Sequence, residues 1–232
     1  MATAKHIGIL ACSAEGAALC YRTICAEAPR EMGEHMHPEI SMHTHPLGDY
    51  MPPIRSGNWQ AVADLMLSSI RKLVQSGAEL IVCPDNTIHQ DFDFVAPHIS
   101  VPWLHIADAV GHEAQRSGYR CLGITGTRFL MVGPVYPGRL KPLGLGLEIP
   151  DADERERIND IIFQELVNGI FTEEARLYFN HVIQRLKDRG CDAVVLGCTE
   201  IPLLVDPHDC PLPVLDSTRL LAREAIRTAL AG

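Results

Sequence analysis

Cys198 and Asp85 are the residues whose settings best suit acid–base chemistry. Cys198 follows the apolar run Ala193-Val194-Val195-Leu196-Gly197 and stands shortly before Pro202, a residue suited to the first turn of a helix. A helix N-terminus lowers a thiol's pKa and stabilises the thiolate. An unperturbed thiol, with a pKa near about 8.5, would be only a few per cent ionised at pH 7. Asp85 follows a similar run, Leu80-Ile81-Val82-Cys83-Pro84. Its carboxylate, with an ordinary pKa of about 3.9, is a weak base unless burial raises it. Each residue also has a plainer reading. Cysteine is often a small buried apolar side chain, and Asp is a strong helix N-cap.

A second cluster lies between them and the N-terminus. His35, His37, His43 and His45 crowd one stretch. On a strand, His43-x-His45 would put both rings on one face, which is compatible with a metal. No matching carboxylate spacing marks a metal class, and none is expected. Residues 44–53 are rich in turn formers and read as a loop over a cleft. His43 and His45 are candidates there to set substrate specificity.

These residues need elements to hold them. Short apolar runs at 7–10, 80–83, 103–106, 122–125, 193–196 and 213–216 read as buried strands. Helical spacing runs over 59–77, 158–167 and 173–189, and again from 216 through 229. Continuous apolar strands alternating with helices predict parallel sheet covered on both faces. The pattern also repeats. An offset of 113 lays residues 73–85 over 186–198 without a gap, matching leucine, glycine stop, acidic residue and strand. Residues 7–9 match 122–124 at an offset of 115, and 101–105 match 212–216 at 111. Three elements in one order at a near-constant offset predict an internal duplication. It places Asp85 and Cys198 at equivalent carboxyl ends of strands, where parallel sheets bind ligands.

Composition narrows the setting. The 232 residues are 47% hydrophobic and 21% charged, as in a folded globular chain. A net charge of −9 with no basic run argues against nucleic acid and anionic membrane as partners. The eight cysteines include several inside apolar runs and form no CxxC pair, the usage of reduced thiols in the cytoplasm. The apolar run at 7–12 is too short for a signal-peptide core, and no run approaches a transmembrane helix.

Gly197-Cys198-Thr199-Glu200-Ile201-Pro202 resembles the second cysteine motif of the aspartate/glutamate racemase family, and Asn86-Thr87-Ile88-His89 resembles the tail of its first. Similarity extends through His105-Ile106-Ala107-Asp108, Gly126-Thr127-Arg128, residues 150–155 and residues 158–163. It is greatest to the branch acting on L-aspartate or L-glutamate. The resemblance implies two pseudosymmetric parallel-sheet α/β lobes with the active site in the cleft between them. The expected lobes are 1–108 with 212–232, carrying Asp85, and 109–211, carrying Cys198. It further implies racemisation of a small acidic amino acid without pyridoxal phosphate or metal, in a cytoplasmic homodimer.

Cys198 is then the catalytic cysteine, while Asp85 stands where the family has its first cysteine. Asn86, Thr87, Thr127 and Thr199 become substrate-carboxylate binders, as does Ser13 in the stretch replacing the family's glycine-rich opening. Arg157 falls where the family has a lysine for the distal carboxylate. His89 and Glu200 are expected to orient the site from behind. With one cysteine of the pair replaced, a decarboxylase or cis–trans isomerase of the same superfamily, or a non-catalytic small-acid binder, stays open.

Overall fold

The structure is a computed structural model that describes residues 4–231; residues 1–3 and 232 of the span expected for the first lobe lie outside the described residues. Among the described residues, eight strands form two separate four-stranded sheets. The first holds β1 (Ile7–Ala11), β2 (Ile40–Thr44), β3 (Leu80–Val82) and β4 (Trp103–Leu104), in the order β2-β1-β3-β4. The second holds β5 (Cys121–Thr125), β6 (Gly146–Glu148), β7 (Ala193–Leu196) and β8 (Val214–Asp216), in the order β6-β5-β7-β8. Every pairing is parallel. The chain divides into two compact α/β units. One is the chain up to Ile106 together with the segment from Thr218, and the other is Ala107–Ser217.

The repeat seen in sequence is a repeat of register. Ile7 pairs with Ile40 and Leu80, and Leu122 pairs with Leu147 and Ala193. Ile81 pairs with Trp103, and Val194 with Val214. The packing repeats as well. At Gly8 in β1 a Cβ would meet the Leu73 Cβ at 3.3 Å, and at Gly123 in β5 it would meet the Leu186 Cβ at 3.3 Å. These are the two leucines that coincide in the repeat. Each helix stops on an equivalent glycine, Gly77 or Gly190, both at φ +96°, where only glycine avoids a Cβ penalty.

Gly8 is the more crowded position. Its Cβ would also lie 2.8 Å from the Cβ of Ala78, an atom with no rotamer to yield. Gly8→Ala is expected to destabilise the first unit by about 1–3 kcal/mol. Urea unfolding should show a lower midpoint with an unchanged slope.

Each unit has its own core. Ile7, Ile9, Leu80 and Val82 pack with Leu221, Ala222, Ala225 and Ile226 of the helix Ser217–Leu230. In the other unit Phe179, Val182, Ile183 and Leu186 of the helix Glu173–Asp188 pack with Val194 and Leu196. Among the described residues no helix is long and apolar enough to cross a membrane.

The expected loop at 44–53 is a correction. Residues Leu47–Ser56 form a helix with Pro52 and Pro53 inside it. Proline's fixed φ is helical, and the carbonyls left without donors, on Gly48 and Asp49, belong to exposed residues that water can serve. Tyr50 and Ile54, one turn apart, are buried at 0% and 6% exposure, and that burial outweighs the turn chemistry. The helix expected at 158–167 instead spans Ala152–Gln164. It starts earlier because the Glu154 carboxylate accepts the Asp151 N–H at 2.7 Å.

Candidate active site

In the first unit the carboxyl ends of β1 and β3 lie side by side. Ile9 pairs with Val82, so three residues onward on each strand come Cys12 and Asp85. Asp85 is partly exposed and Cys12 is buried. The Cys12 thiol is within electrostatic reach of the Asp85 carboxylate. Asp85 Oδ1 also accepts the Ile88 N–H at 3.3 Å, capping the short helix Thr87–Asp91. The capping role expected of an aspartate is therefore present at Asp85. The Cys83 thiol donates to the Asp85 main-chain oxygen at 3.8 Å.

His89 holds the same turn. Its Nε2 accepts the Ile106 N–H at 3.3 Å, so its proton is on Nδ1, which donates to the Asp85 carbonyl at 2.7 Å. With the ring 2% exposed, His89 orients Asp85 through the backbone. Asn86 and Thr87 follow in the turn, Asn86 at 3% exposure. Ser13 caps the helix Ala14–Glu27 by accepting the Gly16 N–H at 3.3 Å.

The polar floor of this end is low in charge. Burial first, then Asp85 and Cys83, pushes the Cys12 thiol well above the ordinary range. Burial does the same to Cys83, with Asp85 adding to it. The Tyr50 hydroxyl is pushed up by burial and then by these thiols, with Ser69 opposing the shift. Tyr50, Cys12 and Cys83 did not stand out in the sequence. The register offset of 115, which carries Cys12 onto Thr127, was the signal that could have found the thiol.

In the second unit the equivalent ends belong to β5 and β7. Thr125 pairs with Leu196, which brings Thr127 and Cys198 to the corresponding positions. Thr127 caps the helix Arg128–Val132 by accepting the Leu130 N–H at 3.3 Å. The Cys198 thiol, partly exposed, donates to Glu200 Oε2 at 2.9 Å, and the Thr199 hydroxyl donates to the same oxygen at 2.9 Å. Glu200 is 4% exposed. The helix after Cys198 spans only Ile201–Leu204, so its macrodipole is small. The buried Glu200 carboxylate, two residues on, contacts the thiol directly. Gly197 N–H donates to the Thr125 carbonyl at 2.9 Å, tying the cysteine turn to the end of β5.

Arg157 lies on the helix Ala152–Gln164, and its Nη2 is 3.8 Å from Glu165 and 3.9 Å from Glu174. His43 lies within β2, and His45 follows that strand in the short link to the helix Leu47–Ser56. Their rings meet edge to face at 4.9 Å, on one side as the alternation predicts. His43 Nε2 accepts from Lys72 at 2.9 Å, its Nδ1 donates to Ser69 at 2.9 Å, and His45 bonds Ser68 at 3.2 Å. Burial, then Lys72, lowers the His43 pKa. His35 faces Glu34 at 3.3 Å, and His37 bonds the Pro38 carbonyl at 2.8 Å. Among the described residues no group of three or more His, Cys, Asp or Glu is arranged to hold a metal ion.

The chain is similar to known proteins over most of its length. A family model described as Asp/Glu/Hydantoin racemase matches residues 9–225. The broad specificity amino-acid racemase RacX of Bacillus subtilis is 22% identical over 160 residues, 69% of each chain. A crystal structure of a candidate Asp/Glu racemase from Yersinia pestis superposes with a TM-score of 0.90 at 33% identity, over 97% of this chain and 99% of that one. An aspartate racemase homologue from Pyrococcus horikoshii gives 0.84 at 28%, over 97% and 99%.

Proposed function

Since this chain belongs to the Asp/Glu/hydantoin racemase family and its homologues are amino-acid racemases, we propose that it racemises a small acidic amino acid, aspartate or glutamate in kind, without a cofactor. The observation that carries the reading is the Cys198 thiol at the carboxyl end of β7, hydrogen-bonded at 2.9 Å to the buried Glu200 carboxylate. A thiol with a carboxylate behind it can lose its proton to that carboxylate and take one from a substrate carbon. Cys198 exchanges the α-proton, and Asp85 is the second proton-transfer group. Removal by one and return by the other inverts the centre. General acid–base groups of this kind contribute about 10²–10⁴-fold each.

Substrate carboxylates are bound by Asn86, Thr87, Thr127, Thr199 and Ser13, with Arg157 for the distal one. N–H donors at the helix starts stabilise the enolate-like intermediate. An Asp/Cys pair is unequal, so the two directions should differ in rate. The protein is further proposed to work in the cytoplasm as a homodimer, the state the family implies.

The carboxylate at position 85 favours a second reading, a single-cysteine decarboxylase or cis–trans isomerase. Incubation in D₂O with L- and D-aspartate, L- and D-glutamate, a malonate and maleate separates the readings by NMR. Loss of the α-proton signal with inversion is the expected result. Loss of CO₂ or a changed alkene would replace the racemase reading with the second, and binding without exchange would leave a small-acid binder.

A further inference from the structure

Two thiols meet at the amino ends of β5 and β7, away from the carboxyl ends that lead to Thr127 and Cys198. Cys121 opens β5, and Cys191 stands two residues before β7. Their Sγ atoms are 3.9 Å apart, across 70 positions of chain. Both are unbridged cysteines. Cys191 is 4% exposed and Cys121 is partly exposed. Hydrogen bonds hold the backbone of both. The Asp192 carboxylate accepts the Arg120 N–H at 2.7 Å and the Cys121 N–H at 3.1 Å, and the Asp192 N–H donates to the Cys121 carbonyl at 2.9 Å. The Cys191 N–H donates to the Leu186 carbonyl at 3.1 Å.

The other copy of the repeat shows which part of this arrangement the fold needs. The offsets of 115 and 113 lay Cys121 over His6, Cys191 over Ala78 and Asp192 over Glu79. The clamp is kept. Glu79 accepts the His6 N–H at 3.0 Å, the Glu79 N–H donates to the His6 carbonyl at 2.8 Å, and the Ala78 N–H donates to the Leu73 carbonyl at 3.0 Å. The thiols are not kept. A histidine and an alanine serve the same register, so the paired sulfurs are an addition to the clamp. Gly146 is a second observation. It pairs with Cys121 from the edge strand β6 and is exposed. A Cβ there would lie 3.5 Å from the Cys121 Sγ, so a glycine at this place leaves the thiol's flank open to a reagent.

We propose that Cys121 and Cys191 form a modification site, a dithiol that a low-molecular-weight disulfide oxidises to a Cys121–Cys191 disulfide across β5 and β7. The proposal is independent of the racemase reading. Cys121 is the entry thiol because it is the accessible one. Its thiolate attacks one sulfur of the reagent, forming a mixed disulfide, and the expelled thiolate takes up the Cys121 proton. Cys191 then attacks the Cys121 sulfur, and the other half of the reagent leaves as a thiol with the Cys191 proton. The two cysteines lose two electrons and two protons, and the reagent's disulfide is reduced to two thiols. The sulfurs close from 3.9 Å to about 2 Å by side-chain rotation on the clamped backbone. Burial, then the neighbouring Cys121, pushes the Cys191 thiol up to about 12, which makes it the slower, resolving partner.

The test incubates the full chain with glutathione disulfide, blocks the remaining thiols with iodoacetamide in denaturant, and maps the peptides by mass spectrometry. The expected product links the Cys121 and Cys191 peptides, short of two hydrogens, and dithiothreitol reverses it. The linked chain should melt higher by about 5 °C or more, because the closed loop is long. Cys191→Ser should stop at a glutathione adduct on Cys121, with no rise in melting temperature. Gly146→Val should slow the first step severalfold by covering the Cys121 sulfur. The peptide map of the parent chain decides the matter even if a variant fails to fold. A glutathione adduct that persists on Cys121 in the parent chain would overturn the proposal. So would recovery of Cys121 and Cys191 as blocked thiols while other cysteines are oxidised.

Discussion

Cys198→Ala is expected to lower kcat for racemisation by about 10²–10⁴-fold, the range for loss of one acid–base group. The side chain is part of the unit's polar edge and packs beside the core without belonging to it. Stability should therefore fall little, and the melting temperature serves as the control. The variant leaves the Glu200 carboxylate without the thiol but still accepting from Thr199. Chiral chromatography of the products and α-proton exchange in D₂O should be read together. If Cys198 works one enantiomer and Asp85 the other, exchange is lost for one and survives slowly for the other. Full activity in Cys198→Ala would remove the central assignment. Cys198→Ser separates the thiol's acidity from its shape, since a hydroxyl keeps the hydrogen bond to Glu200 but ionises far less readily.

Gly197→Ala is expected to cost nearly as much without touching an acid or a base. A Cβ at this position would lie 2.7 Å from the Thr125 carbonyl oxygen and would strike Leu130 Cδ2. The carbonyl is backbone, already bonded to the Gly197 N–H at 2.9 Å, so the cysteine turn must move instead. A displacement of about 1 Å at a reacting group can cost about 10²-fold. Overpacking of this kind also destabilises by about 1–3 kcal/mol. The expected signature is a fall in kcat larger than the change in stability explains, with Cys198 still present and titratable by thiol reagents. A kcat within twofold of the parent would mean that the turn has slack the contacts do not show.

The parts of this molecule that were legible in its sequence are those carried by neighbouring residues. The Cys198–Glu200 pair lies within three positions, after an apolar run and before Pro202. β1, β3, β5 and β7 are fully or nearly fully buried, so each reads as a continuous apolar run. The duplication could be read because both copies kept the glycine–leucine contact and the glycine stop. The edge strands β2 and β6 were missed because they are half exposed and neither carries an apolar run. The helix Leu47–Ser56 was hidden by its prolines, since only the buried positions of Tyr50 and Ile54 justify it. Cys12 and Asp85 lie far apart in sequence, and strand register alone brings them to neighbouring strand ends.

The helix Ser217–Leu230 has a consequence for how the molecule comes into being. It is the last helix among the described residues, yet it fills the core around Ile7, Ile9 and Leu80 far earlier in the sequence. During vectorial synthesis, the residues of Ala107–Ser217 all emerge before that helix exists. The unit translated second can therefore close first. The unit translated first must wait, with β1 and β3 uncovered on one side, until that helix has emerged. An early stop would yield a chain with the Cys198 half formed and the Asp85 half open to proteases. Folding of the unit that carries Asp85 is thus gated by synthesis of the helix Ser217–Leu230.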